Sequence, residues 1–574
     1  MCAERGPRMA ARQSDPLCNP AAKDRVRSPG GPQITSSPSS AAETRHNFKT
    51  SQLHISTSPQ LQNFTTSQLK NLHNSKMAGV KRLVKDTAIY GVSSIVGRFL
   101  NWCLVPMYTY LFATEEYGIV TNIYAYVALV LIILLYGMET GFFRFANHER
   151  WKNPAQVYST TLISVGTSSM IFVILACAFS PQIADALNCG DHPSYIWMMA
   201  IAVGIDAYSS IPFSYLRYKK RPVRFATLKF VNIGLNIGLN LFFLLLCPWL
   251  WTHAPATISW FYDPGFGIGY IFLANMLSSM IILLLLMPEL RVSYSFNSRL
   301  WREMLRYSFP LLILGVAGIM NQTIDKILLP FLIDDPVEAS QQLGIYGANY
   351  KIAIVMVMFI QAFRFAYEPF IFDKHKESGN DKRQAYADAM KFFVIFGLFI
   401  FLGVMFYLDI LKYFISPRYF EGLKVVPIVM AAEFFFGIFF NLSLWYKLTD
   451  RTIWGTWFSL GGLAITLAIN IIFVPVFGYI ACAWGAFCCY AAMMVASYLV
   501  GRKYYPIDYK LPRLGLYVLC AAALYGGAIL ITTPSEPLNF VIRAVLLIAF
   551  GGLVWVKEKP LAKPVRINID KPQS

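Results

Sequence analysis

Fourteen apolar stretches between about residues 87 and 555 constrain this chain more than any other feature. Each approaches the ~20 helical residues that cross a ~30 Å hydrocarbon core. Backbone polar groups in lipid must be satisfied within the span, so the stretches predict helices. The predicted spans are 88–111, 119–144, 157–180, 195–216, 225–248, 266–287, 307–333, 345–371, 390–411, 425–446, 454–475, 479–500, 514–532 and 538–555. The sequence predicts an all-α polytopic membrane protein with about fourteen transmembrane helices.

The charge pattern gives the orientation of these spans. The chain is 56% hydrophobic and 14% charged, with a net charge of +18. A basic balance can indicate a nucleic-acid-binding domain, but here Lys and Arg lie in alternate loops. Neither residue occurs in the loops at 112–118, 181–194, 249–265, 334–344, 476–478 and 533–537. The loop at 412–424, on the same predicted side, is the one exception because it contains Lys and Arg. The positive-inside rule therefore predicts a multi-pass protein with both termini in the cytoplasm and no nucleic-acid partner.

Signatures of metal, redox and ATP chemistry are missing from the sequence. Cys189 is the single cysteine in a predicted outside loop, so no disulfide framework is expected there. The chain has no CxxC pair, no His cluster and no phosphate-binding GxxxxGK[ST] loop. We expect no cofactor and no ATP hydrolysis.

The two ends of the chain differ from the apolar body. Residues 1–76 are rich in Ser, Thr, Pro, Gln and Asn without apolar periodicity, which predicts disorder. We expect Met77 to be the real start and the preceding segment to be translated upstream DNA; the alternative is an ordinary disordered tail. Residues 557–574 are a basic tail, predicted to be cytoplasmic.

An internal repeat organises the spans. The matching pairs are residues 116–119 with 343–346, residues 142–146 with 362–366, and residues 269–271 with 478–480. They pair spans 1–6 with spans 7–12. Because six is even, the two halves share one orientation and are related by an axis along the membrane normal. The sequence predicts two parallel six-helix lobes, 77–290 and 291–503, around a central cavity, with two extra helices in 504–556.

Basic residues within the predicted spans are the first group of candidate functional residues. Intramembrane charges are costly and usually face the bundle interior. Arg98 lies near the midplane and has no carboxylate in its own helix. We predict that the cations bind an anionic head group, since guanidinium is suited to phosphate oxygens. The predicted binding residues are Arg98, Lys326, Lys351, Arg364 and Arg144.

Acidic residues within the spans are candidates for ion coupling, with H⁺ or Na⁺ as the ion. They are Asp325, Asp206, Glu433, Glu139 and Glu368. Several structural alternatives stay open at this point. Arg364–Glu368 and Arg144–Glu139 are equally well interpreted as interfacial ion pairs. Asp325 and Lys326 can likewise be structural residues that hold their helix against a neighbouring one. Asp206 and Glu433 can also be structural residues that pair with side chains on other helices.

Two further patterns concern helix geometry. Asn232, Asn236 and Asn240 form an i, i+4, i+8 stripe beside small residues, which favours helix packing. Prolines at 106, 310 and 330 are expected to bend spans 1 and 7, which would help opposed lobes to rock.

These residues together resemble the polysaccharide biosynthesis proteins, the Wzx-like oligosaccharide flippase branch of the MATE-like exporter superfamily. The resemblance extends from about Met77 to Trp555. The matching residues are Arg98, 106–109, 116–118, 137–140, 144–145, 325–326, 345–351, 361–364 and 368–370. It implies a MATE-like 6+6+2 fold in a bacterial cytoplasmic membrane. It also implies ion-driven flipping of an undecaprenyl-diphosphate-linked oligosaccharide for O-antigen, capsule or exopolysaccharide, with a polymerase and chain-length machinery as partners.

Two other functions compete with this reading. A cation-coupled multidrug exporter of the same fold usually needs acidic and aromatic cavity residues, and the excess of interior Arg and Lys argues against it. A membrane polymerase or glycosyltransferase typically carries catalytic residues on a large outside loop. The longest such loop here, 249–265, contains only His253 and Asp263 as ionisable residues apart from tyrosine. We therefore expect a transporter.

Overall fold

The computed structural model describes residues 96–151, 153–375, 381–531 and 533–558. Side chains are described in these ranges except at 366, 368–375 and 381–382. The predicted disordered extension over residues 1–76 and the tail from residue 559 onward lie outside the described residues.

The described chain is built from α-helices, with no strand among the residues in these ranges. We number them in chain order: α1 (residues 96–102), α2 (Val105–Leu111), α3 (Thr114–Leu135), α4 (Met138–Ala146), α5 (Pro154–Ala178), α6 (Ser180–Ala186), α7 (Pro193–Tyr218), α8 (Pro222–Leu241), α9 (Cys247–His253), α10 (Pro255–Ile258), α11 (Gly269–Leu285), α12 (Met287–Leu290), α13 (Ser298–Leu332), α14 (Pro336–His375), α15 (Asp381–Phe406), α16 (Leu408–Leu411), α17 (Val426–Leu442), α18 (Leu444–Leu448), α19 (Ile453–Phe477), α20 (Tyr479–Tyr504), α21 (Leu511–Leu530) and α22 (Glu536–Glu558). A π-helical turn at Phe242–Leu246 joins α8 to α9, and 3₁₀ turns cover Pro264–Phe266, Lys412–Phe414 and Pro417–Val425.

The predicted fold class is confirmed. Twelve helical segments among the described residues are long and apolar enough to cross a membrane, and α11 is a shorter apolar helix at a predicted span. The first predicted span falls partly outside the described residues. The helices also run further than hydropathy indicates: α13 begins at Ser298, where the Asn297 side chain accepts hydrogen bonds from the backbone N–H groups of Arg299 and Leu300. Hydropathy indicates which part of a helix lies in lipid, whereas a capping residue determines where the helix itself begins.

Each half of the chain has its own apolar core. One core lies within residues 112–276 and includes Tyr195 and Phe272. Another is formed mainly by residues 329–550 and includes Met356 and Phe393. Helices α21 and α22 pack against α15 in the second half. This arrangement matches the predicted pair of six-helix lobes with two additional helices.

The two halves meet where α3 crosses α14, at the positions that the repeat pairs in sequence. A Cβ atom on Gly118 would lie 1.8 Å from the carbonyl oxygen of Ser340, and one on Gly344 would lie 1.8 Å from that of Thr114. Each glycine thus allows the other helix's backbone to approach. This reciprocal contact is what an axis along the membrane normal requires of two equivalent helices.

The prolines act differently in the two spans where bends were predicted. Before Pro106 the first span is interrupted by a turn at residues 103–104, and this proline stands in the first turn of α2. In α13, by contrast, the helix continues through both Pro310 and Pro330.

Candidate functional site

A cavity of about 810 Å³ lies between the two halves. Helices from both sides contribute to its wall. Its polar and charged lining residues are Arg98, Asn101, Tyr108, Tyr117, Thr121, Tyr124, Asp206, Asn232, Asn236, Asn275, Ser279, Gln322, Thr323, Lys326, Tyr350, Lys351, Gln361, Arg364 and Glu433. We define the basic side of the membrane as the side that carries the Lys- and Arg-rich loops.

The end of the cavity away from the basic side is closed by contacts between the halves. Besides the α3–α14 crossing, the Tyr419 hydroxyl donates to the carbonyl oxygens of Phe112 and Ala113, both at 3.1 Å. The rings of Tyr117 and Tyr419 meet edge to face at 5.9 Å. Toward the basic side the lining continues along α14 as far as Arg364, which is exposed. The cavity therefore reaches from mid-membrane toward the basic side.

Four of the five predicted cations line this cavity: Arg98, Lys326, Lys351 and Arg364. Arg98 and Arg364 are close enough to repel each other electrostatically, and so are Lys326 and Lys351. Two carboxylates, Asp206 and Glu433, also line the cavity. With four basic and two acidic side chains, the lining carries an excess of positive charge.

Arg98 stands out because no hydrogen bond or ion pair joins its guanidinium to any other described residue. Its side chain is exposed within the cavity lining. The neighbouring Trp102 fixes α1 against the second half, since its indole N–H donates to the Lys351 carbonyl oxygen at 2.7 Å. The same indole stacks on Phe414 at 4.0 Å. The helix is thus anchored one turn away while the guanidinium stays available to a ligand.

Lys326 and Asp325 form a compact network. The Lys326 ammonium lies 3.0 Å from an Asp325 carboxylate oxygen, and the Tyr346 hydroxyl donates to the same oxygen at 2.6 Å. The ammonium also lies 4.2 Å from the centre of the Tyr350 ring. The Tyr350 hydroxyl donates to Glu433. Glu433 also acts on Lys326 electrostatically, so two carboxylates, one buried behind Lys326 and one in the cavity wall, act on a single cation.

Asp206 lies on the opposite wall, in the first half. Its carboxylate accepts a hydrogen bond from the Ser279 hydroxyl at 2.7 Å. Lys229 acts on it electrostatically and rests its ammonium 4.1 Å from the centre of the Phe213 ring. Lys229 is not among the predicted site residues, although it lies inside the predicted span 225–248.

The remaining predicted site residues lie elsewhere. Arg144 is absent from the cavity lining, and its guanidinium lies 4.1 Å from the centre of the Tyr307 ring. Glu139 forms an ion pair with Arg217 rather than with Arg144. For Glu368, the side chain lies outside the described part of the chain. The repeat-related positions Arg144 and Arg364 are thus placed differently in this conformation.

The asparagine stripe of α8 contributes to the cavity as well as to packing. Asn240 is fully buried and accepts a hydrogen bond from the Tyr108 hydroxyl at 2.9 Å, which joins α8 to α2. Asn232 and Asn236 instead line the cavity, together with Asn275 of α11. The spacing of the stripe predicts packing alone, so its place in the cavity wall comes from the structure.

The sequence profile of the polysaccharide biosynthesis protein family matches residues 83–375. The chain belongs to this family. No curated protein sequence matches it. Among solved structures, the fold is similar to that of the lipid II flippase MurJ in an inward closed conformation, with a TM-score of 0.59 and 15% identity, covering 83% of this chain and 99% of that one.

Two multidrug transporters share the fold. An inward-facing MATE family transporter of the MOP superfamily gives a TM-score of 0.58 at 13% identity, covering 71% of this chain and 94% of that one. The transporter DinF-BH in complex with R6G gives 0.54 at 14%, covering 74% and 96%. This member of the polysaccharide biosynthesis family is therefore a multi-pass membrane protein with the fold of these transporters.

Proposed function

We propose that this member of the polysaccharide biosynthesis family flips an undecaprenyl-diphosphate-linked oligosaccharide across the bacterial cytoplasmic membrane. The product would be assembled into a surface polysaccharide: O-antigen, capsule or exopolysaccharide. A polymerase and chain-length machinery are the proposed partners. The solved neighbour MurJ is itself named as a lipid II flippase.

The observation that carries this proposal is the uncompensated positive charge in the cavity. A cation held within the membrane without a carboxylate is costly, so its retention indicates a ligand that supplies the negative charge. Arg98 has no such partner among the described residues, and Lys351 faces the same cavity. Guanidinium binds phosphate oxygens through two parallel hydrogen bonds, which suits a diphosphate. The lipid tail would stay in the bilayer while the head group crosses inside the cavity.

The direction of transport follows from the charge pattern. If the basic side is the cytoplasm, as the positive-inside rule predicts, the described conformation faces inward and loads the head group from the cytoplasmic leaflet. The repeat halves 77–290 and 291–503 would then rock about the α3–α14 crossing to open the far side. Residues 504–556 would move with the second half, because α21 and α22 pack on α15.

Ion coupling is assigned to the carboxylates around Lys326. Outward movement of a negatively charged head group is favoured by ~2.3 kcal/mol per charge per 100 mV of inside-negative potential. The empty cavity must then return, and an incoming H⁺ or Na⁺ at Asp325 or Glu433 would weaken the hold of these carboxylates on Lys326. Asp206 is the alternative coupling site in the first half.

Head-group binding can be tested directly in lipid nanodiscs by native mass spectrometry. We expect undecaprenyl diphosphate to bind the wild-type protein more tightly than undecaprenyl monophosphate or phosphatidylglycerol. Arg98→Ala should remove this preference, whereas Arg299→Ala, which changes an exposed arginine on the basic side, should keep it. Equal binding of all three lipids by the wild type would refute the proposed substrate class.

A further inference from the structure

The two walls of the cavity differ in chemistry. The wall from the second half carries three cations, Lys326, Lys351 and Arg364. The facing wall, formed by α7, α8 and α11, has no Lys or Arg in its described lining. Its polar lining residues are Asp206, Asn232, Asn236, Asn275 and Ser279, and we refer to these five as the amide wall.

The amide wall is held in place by short hydrogen bonds between helices. The Ser278 hydroxyl of α11 donates to the Asn232 side-chain oxygen at 2.7 Å, and Asn275 donates to the Tyr124 hydroxyl at 3.1 Å. Ser279 donates to Asp206 at 2.7 Å. Every bond uses only part of what each group can offer, since an amide has two donors and two acceptor lone pairs and a carboxylate about four acceptor sites. The rest is available to the cavity.

We propose that the amide wall binds the sugar residues next to the diphosphate. This deepens the proposed function and rests on it. Sugar hydroxyls both donate and accept hydrogen bonds, so they are matched by amides and hydroxyls that do the same. A second phosphate would instead meet Asp206 and no lining cation on this wall. The diphosphate lies against Arg98, Lys351 and Arg364, and the sugars extend across the cavity toward α8 and α11.

The size of the cavity limits how much of the glycan enters. Its volume of about 810 Å³ lies in the upper part of the ~300–1,000 Å³ range of pockets that enclose a single small molecule. The cavity thus holds the diphosphate with its first sugars and excludes a long polymer. The amide wall therefore binds the sugars at the lipid end of the oligosaccharide, because the diphosphate to which they are attached is held at the cationic wall.

Photo-crosslinking tests this arrangement whatever the chemical identity of the sugar. Benzoylphenylalanine is placed at Tyr124 beside the amide wall, at Ile354 on the cationic wall, or at Trp457, an exposed side chain outside the cavity lining. Cells of the native host are irradiated, and the purified protein is treated with mild acid, which splits the bond between sugar and diphosphate. Mass spectrometry then shows which part of the lipid each position holds.

We expect sugar masses on the Tyr124 variant, polyprenyl diphosphate masses on the Ile354 variant, and no sugar on the Trp457 variant. Phosphate without sugar at Tyr124, or the same mixture at Tyr124 and Ile354, would overturn the amide wall while leaving the proposed function intact. Sugar at Trp457 equal to that at Tyr124 would also overturn it. Absence of any glycolipid adduct at both cavity positions would overturn the proposed function itself.

Two substitutions give an independent readout. Asn236→Ala and Asn275→Ala each remove a neutral hydrogen-bonding group, which predicts roughly 3- to 10-fold slower export of surface polysaccharide at normal membrane levels. Binding of bare undecaprenyl diphosphate in nanodiscs should stay within about twofold of wild type, since that lipid has no sugar for the wall to hold. An equal loss of bare-lipid binding would assign both residues to structure or to the diphosphate.

Discussion

Lys391 and Arg98 are both cations inside the helical bundle, but they are held in opposite ways. Lys391 of α15 is only 6% exposed, and its ammonium lies 2.8 Å from Glu558 and 3.2 Å from Asp388. Arg98 of α1 faces the cavity and has no ion pair within the described structure. The difference separates a charge that fixes helices to one another from a charge that is kept for a ligand.

Other cations outside the cavity follow the first pattern. Arg543 of α22 lies 2.6 Å from Asp409, and Arg224 of α8 lies 2.9 Å from the buried Glu289. Lys326 is intermediate, because it lines the cavity and is also paired with Asp325. A cation that exchanges a carboxylate partner for a ligand during transport would need both an ion pair and access to the cavity. The comparison therefore predicts different outcomes for substitutions that look alike in sequence.

The largest effect is expected for Lys391→Met, and it should be an effect on stability. Without Lys391, Glu558 keeps only Arg513 as an ion-pair partner, and breaking a buried ion pair costs up to roughly 3–5 kcal/mol. We expect a lower thermal unfolding temperature in detergent and a lower membrane level, with export reduced in proportion. A variant as stable as wild type would remove the distinction between structural and functional cations.

Arg98→Ala should behave in the reverse way, with normal stability and little export. Loss of charge-assisted hydrogen bonds worth ~1.5–3 kcal/mol predicts roughly 10- to 150-fold weaker binding of undecaprenyl diphosphate. Arg98→Lys should recover only part of the binding, because an ammonium lacks the two-pronged guanidinium geometry. Surface polysaccharide and membrane protein level are measured in the same cells. Normal export by Arg98→Ala contradicts the role assigned to the cavity.

Asp325→Asn should give a smaller and more selective effect. The side chain keeps its shape and its contact with Tyr346, but the negative charge of the carboxylate beside Lys326 is removed. We expect binding of undecaprenyl diphosphate to persist while stimulation of flipping by a pH or Na⁺ gradient is lost. If gradient stimulation is unchanged in reconstituted vesicles, Asp325 is structural, and Glu433→Gln and Asp206→Asn become the next variants to measure.

Arg144→Ala should have the smallest effect of the four. Its guanidinium rests on Tyr307 outside the cavity lining, and an exposed contact of this kind contributes ~0.5–1 kcal/mol. We expect less than about a fivefold change in export. Arg364→Ala is the matched comparison at the repeat-related position and should reduce lipid binding. A strong loss of binding in Arg144→Ala would show that the first half also presents this arginine to substrate.

The membrane made much of this fold predictable from sequence. Lipid requires long apolar helices and makes an unpaired charge costly, so the spans and Arg98 were both recognisable without a structure. Side-chain partners far apart in sequence were not. Arg217 lies 78 residues from Glu139, and nothing in the sequence selects it over the nearby Arg144. Likewise a stripe of asparagines on one helix does not reveal whether it faces another helix or a cavity, and α8 does both.

Flipping in proteoliposomes is the most direct test of the central claim that the cavity cations, Arg98 above all, carry a lipid diphosphate oligosaccharide across the membrane. Lipid-linked oligosaccharide is extracted from the native host and reconstituted with the protein, and the sugar that reaches the outer leaflet is followed with membrane-impermeant periodate. We predict that wild type exposes the whole pool, whereas Arg98→Ala exposes only the share that protein-free vesicles expose. Equal exposure by wild type and Arg98→Ala would contradict the account.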